Sequence, residues 1–205
     1  MYNVVIIGAS GHAKVIADIV IKSGDNVVGF LDDNIEIGTS ILGYEVLGKV
    51  ELCKSIADEH KDYKFIIGIG NNNIRRMISN KYELNYYTAI HPSSIIGINV
   101  KIGYGTTVMA GCVINVDTKI GAHCIANTCS SIDHDCQIND YVHICPGAVL
   151  AGNVNIGSQS WIGIGSTIKN NVTITNDVLI GAGSVVVKNI EENGIYIGIP
   201  ARRTK

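Results

Sequence analysis

Two stretches of this sequence hold side chains suited to chemistry. The first is Asp133-His134-Asp135. A histidine with an ordinary pKa of about 6.5 accepts a proton near neutral pH, which makes His134 a candidate general base. Asp135 beside it is placed to orient the imidazole and raise its basicity. Adjacent residues on a flat strand point to opposite faces, so this pairing requires the chain to turn a corner between them. Spacing alone fits an exposed histidine on a polar face equally well. The second stretch is Gly8-Ala9-Ser10-Gly11-His12, a glycine-rich turn that ends a strand and opens a helix, where N–H groups can meet a phosphate. It lacks the GxGxxG spacing of dinucleotide binders, which disfavours NAD. The acidic pair Asp32-Asp33 ends the next strand, where Rossmann-like folds place a carboxylate that reads ribose or base. A tight turn with two solvated aspartates is the plainer reading of the same residues. No side chain reads as an activated nucleophile. Cys129 and Cys145 are the outward-looking thiols, and neither stands beside a histidine in an evident dyad. A covalent intermediate on the chain is therefore not expected.

Up to about residue 90 these residues sit in alternating strands and helices. Val4–Ile7, Asn26–Leu31 and Lys64–Ile69 read as buried strands, with a short extended piece at Gly43–Lys49. Apolar residues at Val15, Ile16, Ile19 and Val20 make His12–Ser23 a helix, and Val50–His60 and Asn73–Tyr82 read as two more. This order predicts a small parallel sheet with right-handed crossovers, Rossmann-like, over residues 1–90.

The character changes over residues 91–205. In a six-residue frame that starts at Ile96, the first positions are Ile96, Ile102, Val108, Ile114, Ile120, Ala126, Ile132, Ile138, Ile144, Leu150, Ile156, Ile162, Ile168, Ile174, Ile180 and Val186. All but Ala126 are aliphatic and branched, and the frame never slips. The fifth positions are nearly all small, as at Cys112, Thr118, Cys124, Ser130, Cys136, Ala148 and Ser166. Glycine recurs at the second, as at Gly97, Gly103, Gly121, Gly157, Gly163 and Gly181, where it is expected to tolerate the turn. The pattern predicts a left-handed parallel β-helix whose hexads form the sides of a triangular prism, three to a coil. The first-position side chains fill the interior, and the cysteines at fifth positions are small fillers in a narrow core. Solenoid ends need caps. The tail after Ile190 is expected to supply one and the N-terminal domain the other.

Composition narrows the partners. The net charge is −2 and no run of Lys or Arg occurs, so neither nucleic acid nor a membrane surface is expected. The opening Met-Tyr-Asn-Val-Val-Ile-Ile-Gly lacks the basic flank and apolar length of a signal peptide, and a cytoplasmic address is expected. Six cysteines without a CxxC pair give neither the usual zinc nor the usual redox spacing.

The chain resembles the bacterial sugar acetyltransferases that join a small Rossmann-like domain to a hexapeptide-repeat β-helix. These comprise N-acetyltransferases of nucleotide-linked 4-amino-sugars and, more distantly, sialic acid O-acetyltransferases. The matching pieces are Gly8–His12, Phe30-Leu31-Asp32-Asp33, Ile69-Gly70-Asn71-Asn72, Ile90-His91-Pro92-Ser93, Ser131–Cys136 and Gly198-Ile199-Pro200-Ala201-Arg202, in order over nearly the full length. The resemblance implies a homotrimer that moves the acetyl group of acetyl-CoA to the amine of a nucleotide-linked 4-amino-4,6-dideoxy sugar, with His134 as base and Asp135 beside it. Relatives carry Glu where Asp135 stands, one methylene longer. By resemblance His143, Ile164 and Ala182 hold acetyl-CoA, the last two through backbone groups around the pantetheine arm, and the family often has Gly where Ala182 stands. Asn127 lies near the reacting amine, while Ser10, Gly11, His12, Asp32, Asp33 and Gly70 hold the sugar nucleotide. No metal is expected.

Other readings fit parts of the same sequence. O-acetylation of a sialic acid or another sugar is the alternative within the family. A solenoid that binds sugar nucleotides without catalysis is a third. A metal-dependent hydratase on this fold needs three converging histidines, and the spacings of His123, His134 and His143 do not supply the close pair it requires.

Overall fold

The computed structural model describes residues 1–204. It divides into two compact units, Met1–Pro92 and a second that begins at Ser93. In the first unit, strands β1 (Asn3–Ile7), β2 (Asn26–Leu31), β3 (Ser40–Ile41), β4 (Tyr44–Gly48) and β5 (Lys64–Ile67) form one sheet in the order β3-β4-β2-β1-β5. All pairings are parallel except β3 with β4. Central β1 is a continuous apolar run because both of its faces are covered: Val4, Val5, Ile6 and Ile7 are fully buried.

Helix α1 (Gly11–Lys22) buries Ala13, Ile16, Ala17, Ile19 and Val20. It approaches the sheet closely, since a Cβ on Gly68 would lie 2.8 Å from the Cβ of Ala13. Helix α2 (Cys53–Glu59) follows a 3-10 turn at Val50–Leu52, and α3 spans Asn72–Lys81. The β3–β4 hairpin lay outside the sequence expectation. Its two turn residues, Leu42 and Gly43, both have positive φ (54° and 85°), and a leucine in that conformation gives no turn signal.

The second unit is a parallel β-helix. Each two-residue strand pairs with the strand 18 residues further on, as in Val113↔Ser131 and Lys119↔Gln137. One face stacks the strands from Ile95–Ile96 to Val185–Val186, a second those from Lys101–Ile102 to Thr173–Ile174, and a third those from Thr107–Val108 to Val178–Ile180. First-position side chains from Val108 to Val186 are buried, as are the thiols of Cys112, Cys124 and Cys136. The tail adds strand Gly194–Ile197 beside Val178–Ile180 and turns back on itself at Arg202–Arg203.

The corners correct one expectation. The second-position glycines do not make the turn; they are close-approach glycines. A Cβ on Gly103 would lie 2.5 Å from the carbonyl carbon of Gly121 in the next coil. The turn falls two residues later. Every fourth position from Asn99 to Gly183 has positive φ. Side chains differentiate the three corners. One carries Asn99, Asp117, Asp135, Asn153 and Asn171, and another Gly105, His123, Tyr141, Gln159 and Asp177. The last carries Gly111, Cys129, Gly147, Gly165 and Gly183.

Candidate active site and nucleotide pocket

His134 and Asp135 sit at the polar corner. Asp135 adopts φ 60°, and this left-handed bend brings adjacent side chains to the same side of the chain. His134 Nδ1 lies 2.7 Å from Asp135 Oδ2. A carboxylate only accepts, so Nδ1 carries the proton and Nε2 of the neutral ring carries the lone pair. Both side chains are about half exposed, at 53% and 58%. The hydrogen bond to Asp135, then the charge of Asp133, raises the imidazole above its ordinary pKa. Asp133 is itself fixed. Its Oδ1 accepts from Asn115 Nδ2 at 2.8 Å and from the His134 N–H at 2.9 Å. The Asn115 bond, then that of the His134 N–H, holds its carboxyl below the usual range.

One coil onward, Gly152 lies against the imidazole. A Cβ there would stand 2.6 Å from both Cε1 and Nε2 of His134. Among the described residues, no group accepts from the Gly152 N–H. The hexad pattern gave no sign of this residue, because its role depends on the 18-residue coil and not on local spacing.

Asn127 and His143 form a second cluster. Asn127 Oδ1 accepts from the Thr128 N–H at 2.8 Å, which fixes the amide, and its Nδ2 then donates to His143 Nε2 at 2.9 Å. The His143 ring is buried and packs on Trp161, with centroids 4.3 Å apart. His134 follows the strand Ser131–Ile132 of the first face, whereas His143 lies on the third, so the two histidines belong to different sides of the prism.

Ile164 and Ala182 occupy third positions at the glycine-rich corner that closes the third face. Nothing lies within 4 Å of a Cβ built on Gly147, Gly165 or Gly183, so the backbone there is open. Elsewhere a side chain caps the third-position N–H: Asp140 caps Ala122 and Asn176 caps Ser158. Glycine precedes both Ile164 and Ala182, and their N–H groups have no acceptor among the described residues. Ile164 is 60% exposed. The corner thus offers two amides, unsatisfied among the described residues, beside small and apolar side chains.

In the first unit, a pocket of about 720 Å³ is lined by Gly8, Ser10, Asp32, Asp33 and residues beyond those singled out from sequence, among them Lys49, Ile69, Met77 and Lys81. Gly11, His12 and Gly70 adjoin these residues without lining it. Ser10 stands at the N-cap of α1, yet its hydroxyl makes no capping bond. Burial, then the charge of Arg75, lowers the His12 pKa to about 4, so the imidazole is neutral at physiological pH.

The two aspartates divide. Asp32 is fully engaged: Oδ2 accepts from the Ala9 N–H at 2.8 Å, and Oδ1 from those of Asn34 and Ile35. Asp33 uses one oxygen on the Val50 N–H at 2.9 Å. Asp32 thus ties the glycine turn to the loop after β2, and Asp33 keeps an oxygen for the pocket.

The thiols need one correction. Cys129 is exposed, but Cys145 is buried, and desolvation pushes its pKa up to about 12. His123 packs between Tyr104 and Tyr141.

Comparison with known proteins agrees with both units. The family described as PglD N-terminal domain matches residues 3–82, and the bacterial transferase hexapeptide family matches residues 153–188. The chain is 36% identical to UDP-N-acetylbacillosamine N-acetyltransferase of Bacillus subtilis (strain 168) over 115 residues, which cover 54% of this chain and 52% of the relative. It is 35% identical to GDP-perosamine N-acetyltransferase of Escherichia coli O157:H7 over 142 residues, covering 68% and 62%. The matched stretches thus span little more than half the length of these curated relatives. A solved structure aligns over the whole chain: the H-to-N mutant of perosamine N-acetyltransferase from Caulobacter crescentus, in complex with CoA and GDP-perosamine. Its TM-score is 0.93, with 32% identity, covering 100% of this chain and 98% of that one. The chain belongs to the bacterial nucleotide-sugar N-acetyltransferase family, with a PglD-type α/β N-terminal domain and a left-handed hexapeptide-repeat β-helix.

Proposed function

We propose that this protein transfers the acetyl group of acetyl-CoA to the amine of a nucleotide-linked 4-amino-4,6-dideoxy sugar. The observation that carries this reading is the His134–Asp135 pair, with a proton-free Nε2 on an exposed ring. In the proposed step the amine nitrogen attacks the thioester carbonyl as His134 Nε2 takes its proton. The carbonyl oxygen becomes an oxyanion, to which the Gly152 N–H beside the imidazole donates. The adduct collapses with cleavage of the C–S bond, and the imidazolium returns the proton to the departing thiolate. Asp135 stabilises the imidazolium without itself being protonated. The open amides of Ile164 and Ala182 hold the pantetheine arm, and the Asn127–His143 pair lines the reacting end.

The catalytic corner and the glycine-rich corner lie on different edges of one prism. A homotrimer that sets one edge against the other edge of a neighbouring copy would complete the site. The pocket around Gly8, Ser10 and Asp33 takes the nucleotide, with Gly11, His12 and Gly70 beside it. The test is a panel of UDP-, dTDP- and GDP-linked 4-amino sugars with acetyl-CoA, read by thiol release and by the mass of the product. N-acetylated product with at least one acceptor is expected. Tight nucleotide binding without thiol release from any acceptor would refute the reading.

A further inference from the structure

Arg75 lies in the second turn of α3, and its neighbour Arg76 is exposed as a helix-surface arginine ordinarily is. Arg75 is instead 1% exposed, one of the largest fully buried side chains of the chain. Burial of a guanidinium is unfavourable unless its donors are met and its placement is needed. Three of its hydrogen bonds converge on one place. Nη1 donates to the carbonyls of Ile69 at 3.1 Å and Gly70 at 3.0 Å, and Nη2 to Asn72 Oδ1 at 3.0 Å. These acceptors belong to the turn that leaves β5 and starts α3. Asn71 tightens the same turn by capping α3, its side chain accepting from the Ile74 N–H at 3.1 Å.

This turn is one of the two that shape the pocket. A Cβ on Gly8 (φ 104°) would lie 2.9 Å from Ile69 Cγ1, so the β5–α3 turn packs directly on the glycine turn that opens α1. Arg75 stands behind both. It bonds the first turn, and its charge bears on His12 in the second, whose Nε2 is buried without a hydrogen-bond partner among the described residues.

We propose that Arg75 is the positioning residue of the nucleotide pocket: its guanidinium holds the Ile69–Asn72 turn in the shape that receives the nucleotide, without touching the substrate. This rests on the pocket reading above. A hydrophobic side chain of similar volume would fill the space and leave the Ile69 and Gly70 carbonyls unpaired, so that the turn rearranges to satisfy them.

The test is calorimetric titration of the full-length protein, its R75M variant and its R75K variant with UDP, dTDP, GDP and, separately, CoA. The best-bound nucleoside diphosphate is expected to bind R75M about tenfold more weakly or worse, a loss of about 1.4 kcal/mol. R75K, which keeps the charge and can reach a carbonyl, is expected to fall between. CoA affinity is expected to stay within about twofold in all three proteins, a difference of about 0.4 kcal/mol. Unchanged nucleotide binding by R75M overturns the proposal. A parallel loss of CoA binding in R75K also overturns it, since the arginine would then serve the fold at large. Failure of the unaltered protein to bind any of the three nucleotides overturns the pocket reading itself.

Discussion

His134 donates from Nδ1 to Asp135 Oδ2 at 2.7 Å across a coil corner, although the two residues are adjacent in sequence. The left-handed φ of 60° at Asp135 makes this geometry possible. A carboxylate one methylene shorter than the family's glutamate therefore still reaches the ring.

The pair sets a pH dependence. The base must be unprotonated to accept a proton, so activity falls as pH drops through the His134 pKa. Asp135, then Asp133, raises that pKa above the ordinary histidine value. Replacement of Asp135 by Asn removes the largest cause, so the acid limb of kcat/KM should move to lower pH, while the plateau falls because the ring is less well oriented. H134A should lose about 10²–10⁴ in kcat at every pH. A D135N profile whose acid limb stays in place would show that another group titrates there.

Gly152 offers a steric test. A Cβ at this position would stand 2.6 Å from Cε1 and Nε2 of His134, closer than a carbon can come without displacement. The φ at Gly152 is not positive, so alanine fits the backbone and the clash with the ring is the main perturbation. G152A should therefore keep its thermal midpoint within about 2 °C, equivalent to about 0.5–1 kcal/mol. Its kcat should fall about tenfold or more, since catalytic geometry tolerates little misplacement. Unchanged kcat would mean that the imidazole works from another rotamer.

The hexad frame was readable because it is local: one aliphatic side chain every six residues marks the core, and the interior contains what the frame implies. The corner conformation was not, because positive φ falls on Asp, Asn, His, Tyr, Gln and Cys as well as on Gly, and no single residue type marks it. The contact of Gly152 with His134 and the free amides of Ile164 and Ala182 depend on what the next coil presents, 18 residues away. Asp32 and Asp33 showed their strand end in the sequence but not their division of labour, which rests on backbone N–H groups from three separate segments. Arg75 was invisible for the same reason. It looks like any arginine on an amphipathic helix until the carbonyls of the β5–α3 turn are in place.

The two aspartates should behave differently. Asp32 accepts three backbone N–H groups, and hydrogen bonds to a charged acceptor contribute about 1.5–3 kcal/mol each when lost. D32A should lower the stability of the first unit by an amount of that order, with weak nucleotide binding as a consequence. D33A gives up one such bond, to Val50, and the oxygen left for the pocket. Its main effect should be a raised KM for the sugar nucleotide, with kcat and the KM for acetyl-CoA little changed. Equal losses of stability in both variants, by denaturant titration at fixed protein concentration, would refute the division.

Core positions along the β-helix should differ by where their coil lies. Ile156 is fully buried, with coils on both sides of it. Ile96 sits in the first coil and is 38% exposed. Truncation of a buried isoleucine to alanine removes its transfer free energy and leaves a cavity, at about 2–5 kcal/mol. I156A should fall in that range, because the stacked coils cannot collapse around the void without breaking the 18-residue register. I96A starts partly solvated and next to only one further coil on its face, so its cost should be about half or less of the same range. The comparison is made by denaturant unfolding of both variants at one protein concentration, because assembly contributes to the apparent stability. Equal destabilisation would show that the first coil is covered in the native assembly as completely as the middle ones, and that Ile96 belongs to the continuous core.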